Sequence, residues 1–379
     1  MLEFKDLKKQ YNMLKNEIDE AIHSVICETN FISGKPIKEL EKKLAEYAGT
    51  RFCVGCGNGT DALSLALMVW GIGSGDAVFV PDFTFFASGE VVAYSGATPI
   101  FVDVEEETYN IDCEKLEKAI VRILEEGKLC PKVILAVDLF GQPADYEEIR
   151  KIAQKYDLKI LEDGAQGFGG MLKKKRTCSL GDISTTSFFP VKPLGCYGDG
   201  GAVFLNSEEE ERLIRSYQNH GKGGHKYDNV RIGVNSRLDT LQAAILLVKF
   251  KEFRDSELER VNALAQIYND KLKGIVGTPR IREGFFSSWA QYTVRLPDRT
   301  AREGLHEYLG AKGIPSMIYY PKPMHKQLAF KDSFLYYREE DYEVTNKLCD
   351  TVLSLPLHPY MEEENLQVVI ETIKEYLSQ

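Results

Sequence analysis

The sequence predicts an α/β protein: a mostly parallel central sheet flanked by helices, followed by a smaller α+β C-terminal domain. Short, nearly unbroken apolar runs recur over the first two-thirds of the chain, as strands buried on both faces of a parallel sheet require. Amphipathic helical stretches separate them, the alternation that lets helices cover a sheet. From Leu238 the alternation gives way to long helices and a single strand pair.

The strands are expected at Phe52–Gly55, Ala77–Pro81, Thr98–Val104, Lys132–Leu139, Lys159–Glu162, Ser184–Phe188 and Ala202–Leu205. The intervening helices are Thr60–Val69, Cys113–Glu125, Tyr146–Tyr156 and Glu208–Gln218. The stretch from Leu238 to Leu272 reads as one long helix or two joined ones. After it come a strand pair near Gln291–Leu296 and Ile318–Tyr320, and helices around Arg302–Leu309, Tyr342–Thr351 and Met361–Leu377. The expected division is a large domain over residues 1–250 and a small one over residues 251–379.

A chain of 379 residues buries a full core without disulfides or metal, which excludes a disordered tail, a collagen-like fibre and a small stapled scaffold. With 57 acidic against 47 basic residues, the net charge of −10 argues against a nucleic-acid partner, which needs clustered positive charge. It leaves room for a local basic pocket. The eight cysteines are scattered, unlike a disulfide framework. Cys53 and Cys56 have the spacing of a metal or redox pair, but no second pair exists, so two thiols at a glycine turn is the plainer reading and no metal is expected. The first residues mix acids and bases, unlike a signal peptide. No apolar run reaches the ~18 residues that span a bilayer. A cytoplasmic, reduced protein without membrane contact is expected.

Three motifs carry chemistry. Gly55-Cys56-Gly57-Asn58-Gly59-Thr60-Asp61 is a glycine-rich turn opening a helix, which offers backbone N–H groups and a positive dipole end to an anion. It serves equally as a tight turn, and its spacing departs from the dinucleotide fingerprint. Asp163, in Leu161-Glu162-Asp163-Gly164-Ala165-Gln166, ends an apolar strand, where it is either a cleft carboxylate or a turn residue. Lys192, in Phe188-Phe189-Pro190-Val191-Lys192-Pro193, sits between prolines and aromatics, where desolvation would lower its pKa as a Schiff-base lysine requires. Together they fit pyridoxal 5′-phosphate, which needs a lysine, an acid for the pyridine nitrogen and donors for the phosphate. Ser187 adds a phosphate donor, and Phe85, in Pro81-Asp82-Phe83-Thr84-Phe85-Phe86, is a candidate to stack on the ring.

On these residues the chain resembles the DegT/StrS family of sugar aminotransferases over essentially its whole length. Phe31-Ile32-Ser33-Gly34, Asn58 through Leu63, Asp163 with Gln166, Ser187 through Lys192, Gly198-Asp199-Gly200-Gly201, Gly233 through Asp239 and Tyr320 through His325 carry the match. The resemblance implies a fold-type I transferase dependent on pyridoxal 5′-phosphate. Lys192 would bind the cofactor covalently and Asp163 would pair with its pyridine nitrogen. Gln166 would lie over the ring, while Gly59, Thr60 and Ser187 hold the phosphate. Asn235 would reach the phosphate from a neighbouring subunit, which implies a homodimer with shared sites. Sugar dehydratases of the family carry histidine at the position of Lys192, so lysine favours transamination.

Within the family the motifs look most similar to enzymes aminating UDP-2-acetamido-2-deoxy-3-oxo-glucuronate. The expected reaction moves an amino group from L-glutamate to that nucleotide sugar, with Arg237, Tyr319 and Tyr320 facing the substrate. Two departures stand out. Gly164 replaces the usual alanine beside the cofactor acid. Tyr319 stands where such enzymes tend to have histidine, keeping a hydrogen-bonding tip but removing a possible cation at the uronate. Another UDP- or dTDP-keto sugar, aminated at C3 or C4, therefore stays open as substrate. A non-catalytic regulator on the same scaffold is the reading from a different class, and a nicotinamide oxidoreductase a third.

Overall fold

The computed structural model describes residues 2–225 and 227–378. Two helices precede the sheet, α1 (Leu7–Glu28) and α2 (Lys35–Ala48). Asp6 caps α1 by accepting from the Lys9 N–H, and Gly49 ends α2 in the left-handed region. Strands and helices then alternate: β1 (Phe52–Cys56), α3 (Gly59–Val69), β2 (Asp76–Pro81), α4 (Phe86–Tyr94), β3 (Thr98–Val102), α5 (Cys113–Glu126), β4 (Cys130–Val137), α6 (Tyr146–Tyr156) and β5 (Lys159–Asp163). A short hairpin of β6 (Met171–Leu172) and β7 (Lys175–Arg176) leads to β8 (Ile183–Ser187), β9 (Gly201–Leu205) and α7 (Glu208–Tyr217).

The seven long strands form one sheet in the order β1-β9-β8-β5-β4-β2-β3. The four pairings among β3, β2, β4, β5 and β8 are parallel, and those of β9 with β8 and β1 are antiparallel. Both faces are covered. Along β2, Val78 and Val80 face α3 and α4, whereas Ala77 and Phe79 join the α5 and α6 side chains. The period-two alternation of strand side chains thus sends apolar groups to two cores, which is why the run is unbroken in sequence. Each fully buried Val or Phe contributes about 1.5–3 kcal/mol of transfer free energy. Parallel strands present their carboxyl ends at one edge, where Asp82, Asp163 and Ser187 gather.

The expected long helix is two, α8 (Thr240–Glu252) and α9 (Leu258–Leu272), joined through a single π turn at Phe253–Glu257. The last third adds β10 (Phe285–Phe286), β11 (Tyr292–Arg295), α10 (Arg299–Ala311), α11 (Glu343–Thr351), β12 (Val352–Leu355) and α12 (Glu363–Leu377). Val261 and Tyr268 of α9, Leu305 of α10 and Ile370 of α12 close a separate apolar cluster over the β11–β12 pair.

One expected element is wrong. Ile318–Tyr320 is not a strand, and β11 pairs with Val352–Leu355 instead, Tyr292 opposite Leu355. Pro315, Pro321 and Pro323 bracket the segment and lack the N–H groups a ladder needs, so only Met317 bridges, to Ser354. α1, α2 and α4 were not among the expected helices. The Phe86–Tyr94 helix is apolar nearly all round and offers no amphipathic signal.

Candidate active site

A cavity of about 630 Å³ opens at the carboxyl edge of the sheet. At one end the α3 N-terminus abuts β8. Asn58 caps the helix, its Oδ1 accepting from the Asp61 N–H at 2.8 Å. The first intrahelical bond runs from the Ala62 N–H to the Asn58 carbonyl, so the Gly59 and Thr60 N–H groups lie ahead of the ladder. A Cβ on Gly59 would stand 2.7 Å from Ser187 Cβ, and one on Gly201 would stand 2.5 Å from the Asn58 backbone. Only glycine permits this approach, which sets two N–H groups and a hydroxyl on one patch of wall.

Asp163 ends β5 and is buried, with Oδ2 accepting from Ser88 Oγ at 2.8 Å and Oδ1 from the Ala165 N–H at 3.2 Å. Ser88 Oγ is also 3.2 Å from Thr84 Oγ, so a short hydroxyl chain orients the acid. Burial raises the Asp163 pKa, while Ser88, the Ala165 amide and the charge of Lys192 oppose that rise. Burial lowers the Lys192 pKa, and the attraction of Asp163 opposes it. The lysine and the acid therefore sense each other across one space, and burial favours the neutral form of each.

Gln166 is clamped. Its Oε1 accepts from the Phe140 N–H at 2.6 Å, and its Nε2 donates to the Tyr320 hydroxyl at 3.1 Å. Phe140 holds a left-handed backbone, φ 59°, an uncommon conformation for an aromatic residue, which turns this N–H toward the glutamine. Phe85 is 56% exposed on the cavity wall, its ring 6.3 Å from that of Tyr320. Tyr319 and Tyr320 complete that side, and burial raises both phenol pKa values.

Gly59, Thr60, Phe85, Asp163, Gln166, Ser187, Lys192, Tyr319 and Tyr320 therefore line one cavity. Asn235 and Arg237 do not. Asn235 is exposed on a segment bridged to Asn219, and Arg237 Nη1 donates to Asn219 Oδ1 at 3.2 Å. Sequence reasoning missed Ser88 and Thr84, whose hydroxyls hold the acid, and also Asp61, Asp199 and Gln291 on the wall. The Thr84/Ser88 spacing of four, at the entry to a helix, was the one available signal. All eight thiols are unpaired, and burial raises the pKa of both Cys53 and Cys56. Among the described residues no cluster could hold a metal ion, and no helix is long and apolar enough to cross a membrane.

The residues fit pyridoxal 5′-phosphate on the chemistry of the donor set. N–H and hydroxyl donors sit at a glycine cradle, a buried acid and a half-buried lysine line one cavity, and an exposed aromatic ring flanks it.

Comparison with known proteins agrees. A UDP-2-acetamido-2-deoxy-3-oxo-D-glucuronate aminotransferase of Pseudomonas aeruginosa is 43% identical over 97% of this chain and 98% of its own. A protein of Geobacillus stearothermophilus named pleiotropic regulatory protein is 39% identical over 98% and 97%. A dTDP-3-amino-3,6-dideoxy-alpha-D-galactopyranose transaminase of Aneurinibacillus thermoaerophilus is 37% identical over 99% of both. Among solved structures, an aminotransferase from Brucella abortus superposes with a TM-score of 0.96 at 46% identity, covering 100% of both chains. A Streptococcus pneumoniae sugar aminotransferase solved in its PMP form superposes at 0.88 with 25% identity, over 96% of this chain and 97% of its own. The family model for DegT/DnrJ/EryC1/StrS aminotransferases matches residues 12–374. With that match, and with a fold and cavity of this kind, the chain belongs to the DegT/DnrJ/EryC1/StrS aminotransferase family.

Proposed function

We propose that this protein is a pyridoxal-phosphate aminotransferase that carries an amino group from L-glutamate to the ketone of a nucleotide-linked sugar, with UDP-2-acetamido-2-deoxy-3-oxo-glucuronate as its substrate. The observation that carries the reading is that Lys192 and Asp163 share one cavity with the donors at Gly59, Thr60 and Ser187. When bound, the cofactor supplies an electrophilic carbon for the amine and a ring that stores the electron pair of a carbanion. Lys192 Nζ, which burial holds toward the neutral amine, would accept the α-proton of glutamate and return a proton to the carbon on the far side of the transferred nitrogen. Asp163 keeps the ring nitrogen protonated, and Ser88 and the Ala165 amide hold its two oxygens in place. Gln166 fixes the Tyr320 hydroxyl against the cavity, and the α3 N–H groups with Ser187 hold the phosphate.

The working unit in this reading is a homodimer with shared sites. Among the described residues Lys192, held toward the neutral amine, is the one basic side chain lining the cavity, beside the acids Asp61, Asp163 and Asp199, yet a diphosphate sugar needs cations. Asn235 and Arg237 lie outside the cavity of their own chain, on a segment where Ile232 is 90% exposed. Such a segment suits insertion beside the partner's site. In the same reading the chain divides into a large cofactor-binding domain over residues 1–250 and a small C-terminal domain over residues 251–379.

A second reading has a specific observation behind it. Tyr319 is neutral, so a UDP- or dTDP-keto sugar without a carboxylate fits the wall as well. The pyridoxamine form, mixed with a panel of UDP- and dTDP-keto sugars, decides by the reversion of the cofactor spectrum. Fastest reversion with the 3-oxo-glucuronate supports the first reading, and a neutral sugar winning supports the second. If no keto sugar reverts the spectrum while the cofactor stays firmly bound, the chain is a regulator on this scaffold.

A further inference from the structure

Two segments bring aromatic rings to the wall of the cavity that Lys192 also lines. One follows β2 and carries Phe85; the other carries Tyr319 and Tyr320. They are 234 or more positions apart in sequence, and a buried pair of residues joins them. Asp82, fully buried, accepts from the His325 N–H at 2.7 Å through Oδ1 and from His325 Nδ1 at 2.7 Å through Oδ2. Its own carbonyl accepts from the Met324 N–H at 3.1 Å, and its N–H donates to the Val102 carbonyl at 2.7 Å. One residue thus spends both carboxylate oxygens and its carbonyl on Met324 and His325. His325 is 6% exposed, stacks on Tyr342 at 4.2 Å and 12°, and turns Nε2 toward Glu339 at 3.5 Å. Gly89 lets Met324 close in, since a Cβ there would be 2.8 Å from the methionine methyl.

Apolar residues of the same shape would hold two loops together about as firmly as a buried hydrogen-bonded pair does. What the pair adds is direction, because two short bonds at one carboxylate leave a single arrangement. That arrangement sets Phe85, three residues beyond Asp82, against Tyr320, five residues before His325.

We propose that Asp82 and His325 are a positioning pair that fixes the cofactor-facing Phe85 loop and the substrate-facing Tyr319–Tyr320 segment as one wall, so that cofactor and sugar affinity depend on one joint. The proposal rests on the aminotransferase reading for the identity of the ligands. His325→Phe keeps a ring on Tyr342 and leaves Asp82 Oδ2 without a donor. His325→Asn keeps a donor at the place of Nδ1.

The test uses apoenzyme titrated with pyridoxal 5′-phosphate, visible circular dichroism of the holoenzyme, and steady-state kinetics with the best keto sugar. His325→Phe is expected to raise the cofactor Kd and the sugar KM each about tenfold, weaken the dichroic band, and leave kcat within about threefold. His325→Asn should restore all of these to near wild type. Should His325→Phe fail to fold, Asp82→Asn, which keeps the acceptor for the His325 N–H but removes the charge, takes the same measurements. A lowered Tm with unchanged Kd, KM and dichroism means a merely structural pair and overturns the proposal. So does a fall in kcat at constant KM. If no sugar is turned over, the function reading fails alone, because cofactor affinity and dichroism still decide the pair.

Discussion

Lys192 and Asp163 show how a fold moves protons by moving pKa values. Burial holds the lysine toward its neutral, nucleophilic form and raises the Asp163 pKa, which the Ser88 hydroxyl and the Ala165 N–H oppose by donating to its two oxygens. Lys192→Ala holoenzyme is therefore expected to lose about 10²–10⁴-fold in turnover while still binding cofactor, read by steady-state rates beside the visible spectrum. Wild-type turnover in that variant would end the assignment. The same shift leaves a mark on stability. Native Lys192 binds fewer protons than unfolded Lys192 between its lowered pKa and the ordinary value near 10.5, so this group makes apoenzyme stability rise with pH through that window. Half-buried Lys5 and buried Lys249, both lowered to about 8, act in the same direction. Urea midpoints of Lys192→Met apoenzyme should climb less with pH than those of wild type. Equal slopes would mean that the lysine titrates normally.

At the scale of elements, the proposed phosphate end is made by the meeting of α3 with β8 and β9, which two glycines permit. Gly59→Val would drive its Cβ into Ser187, so the helix start must retreat, carrying its N–H groups with it. The cofactor Kd is expected to rise at least about tenfold with a modest loss of stability, measured by titration of apoenzyme and by urea unfolding. Asn58→Ala separates capping from cradle. It removes the acceptor for the Asp61 N–H and should cost about 1 kcal/mol of stability with Gly59 left in place. A cofactor affinity falling as far as in Gly59→Val would show that the cap, not the close approach, makes the site.

The whole molecule carries a net charge of −10, and among the described residues Lys192 is the one basic side chain lining each chain's cavity, too few for the diphosphate of the proposed substrate. Shared sites predict complementation. Lys192→Ala and Asn235→Ala subunits, each impaired as homodimers, should recover up to about a quarter of wild-type activity when unfolded and refolded together, because half the dimers are mixed and each has one intact site. No recovery beyond the separate variants would place Asn235 in its own chain's site.

Much of this was legible in sequence because local chemistry writes it there. Strands buried on two faces are continuous apolar runs, a helix start needs Asn58 and glycines, and a lysine between prolines has few uses. The α/β class, the alternation from β1 through α7 apart from α4, and the motifs around Gly59, Asp163 and Lys192 all come from such short-range rules. The Ile318–Tyr320 segment shows the limit: its β-branched and aromatic residues read as a strand, while neighbouring prolines withhold the donors that pairing needs. Ser88 under Asp163, Phe140 turned onto Gln166, and Asp82 on His325 are contacts between residues 26 to 243 positions apart. No periodicity records them, since each depends on where the chain returns in three dimensions. Sequence alone determined the α/β class and which polar groups are candidates for the chemistry, because short-range patterns record both; tertiary packing decided which polar atoms are buried together, and hence how acid, lysine and wall are held.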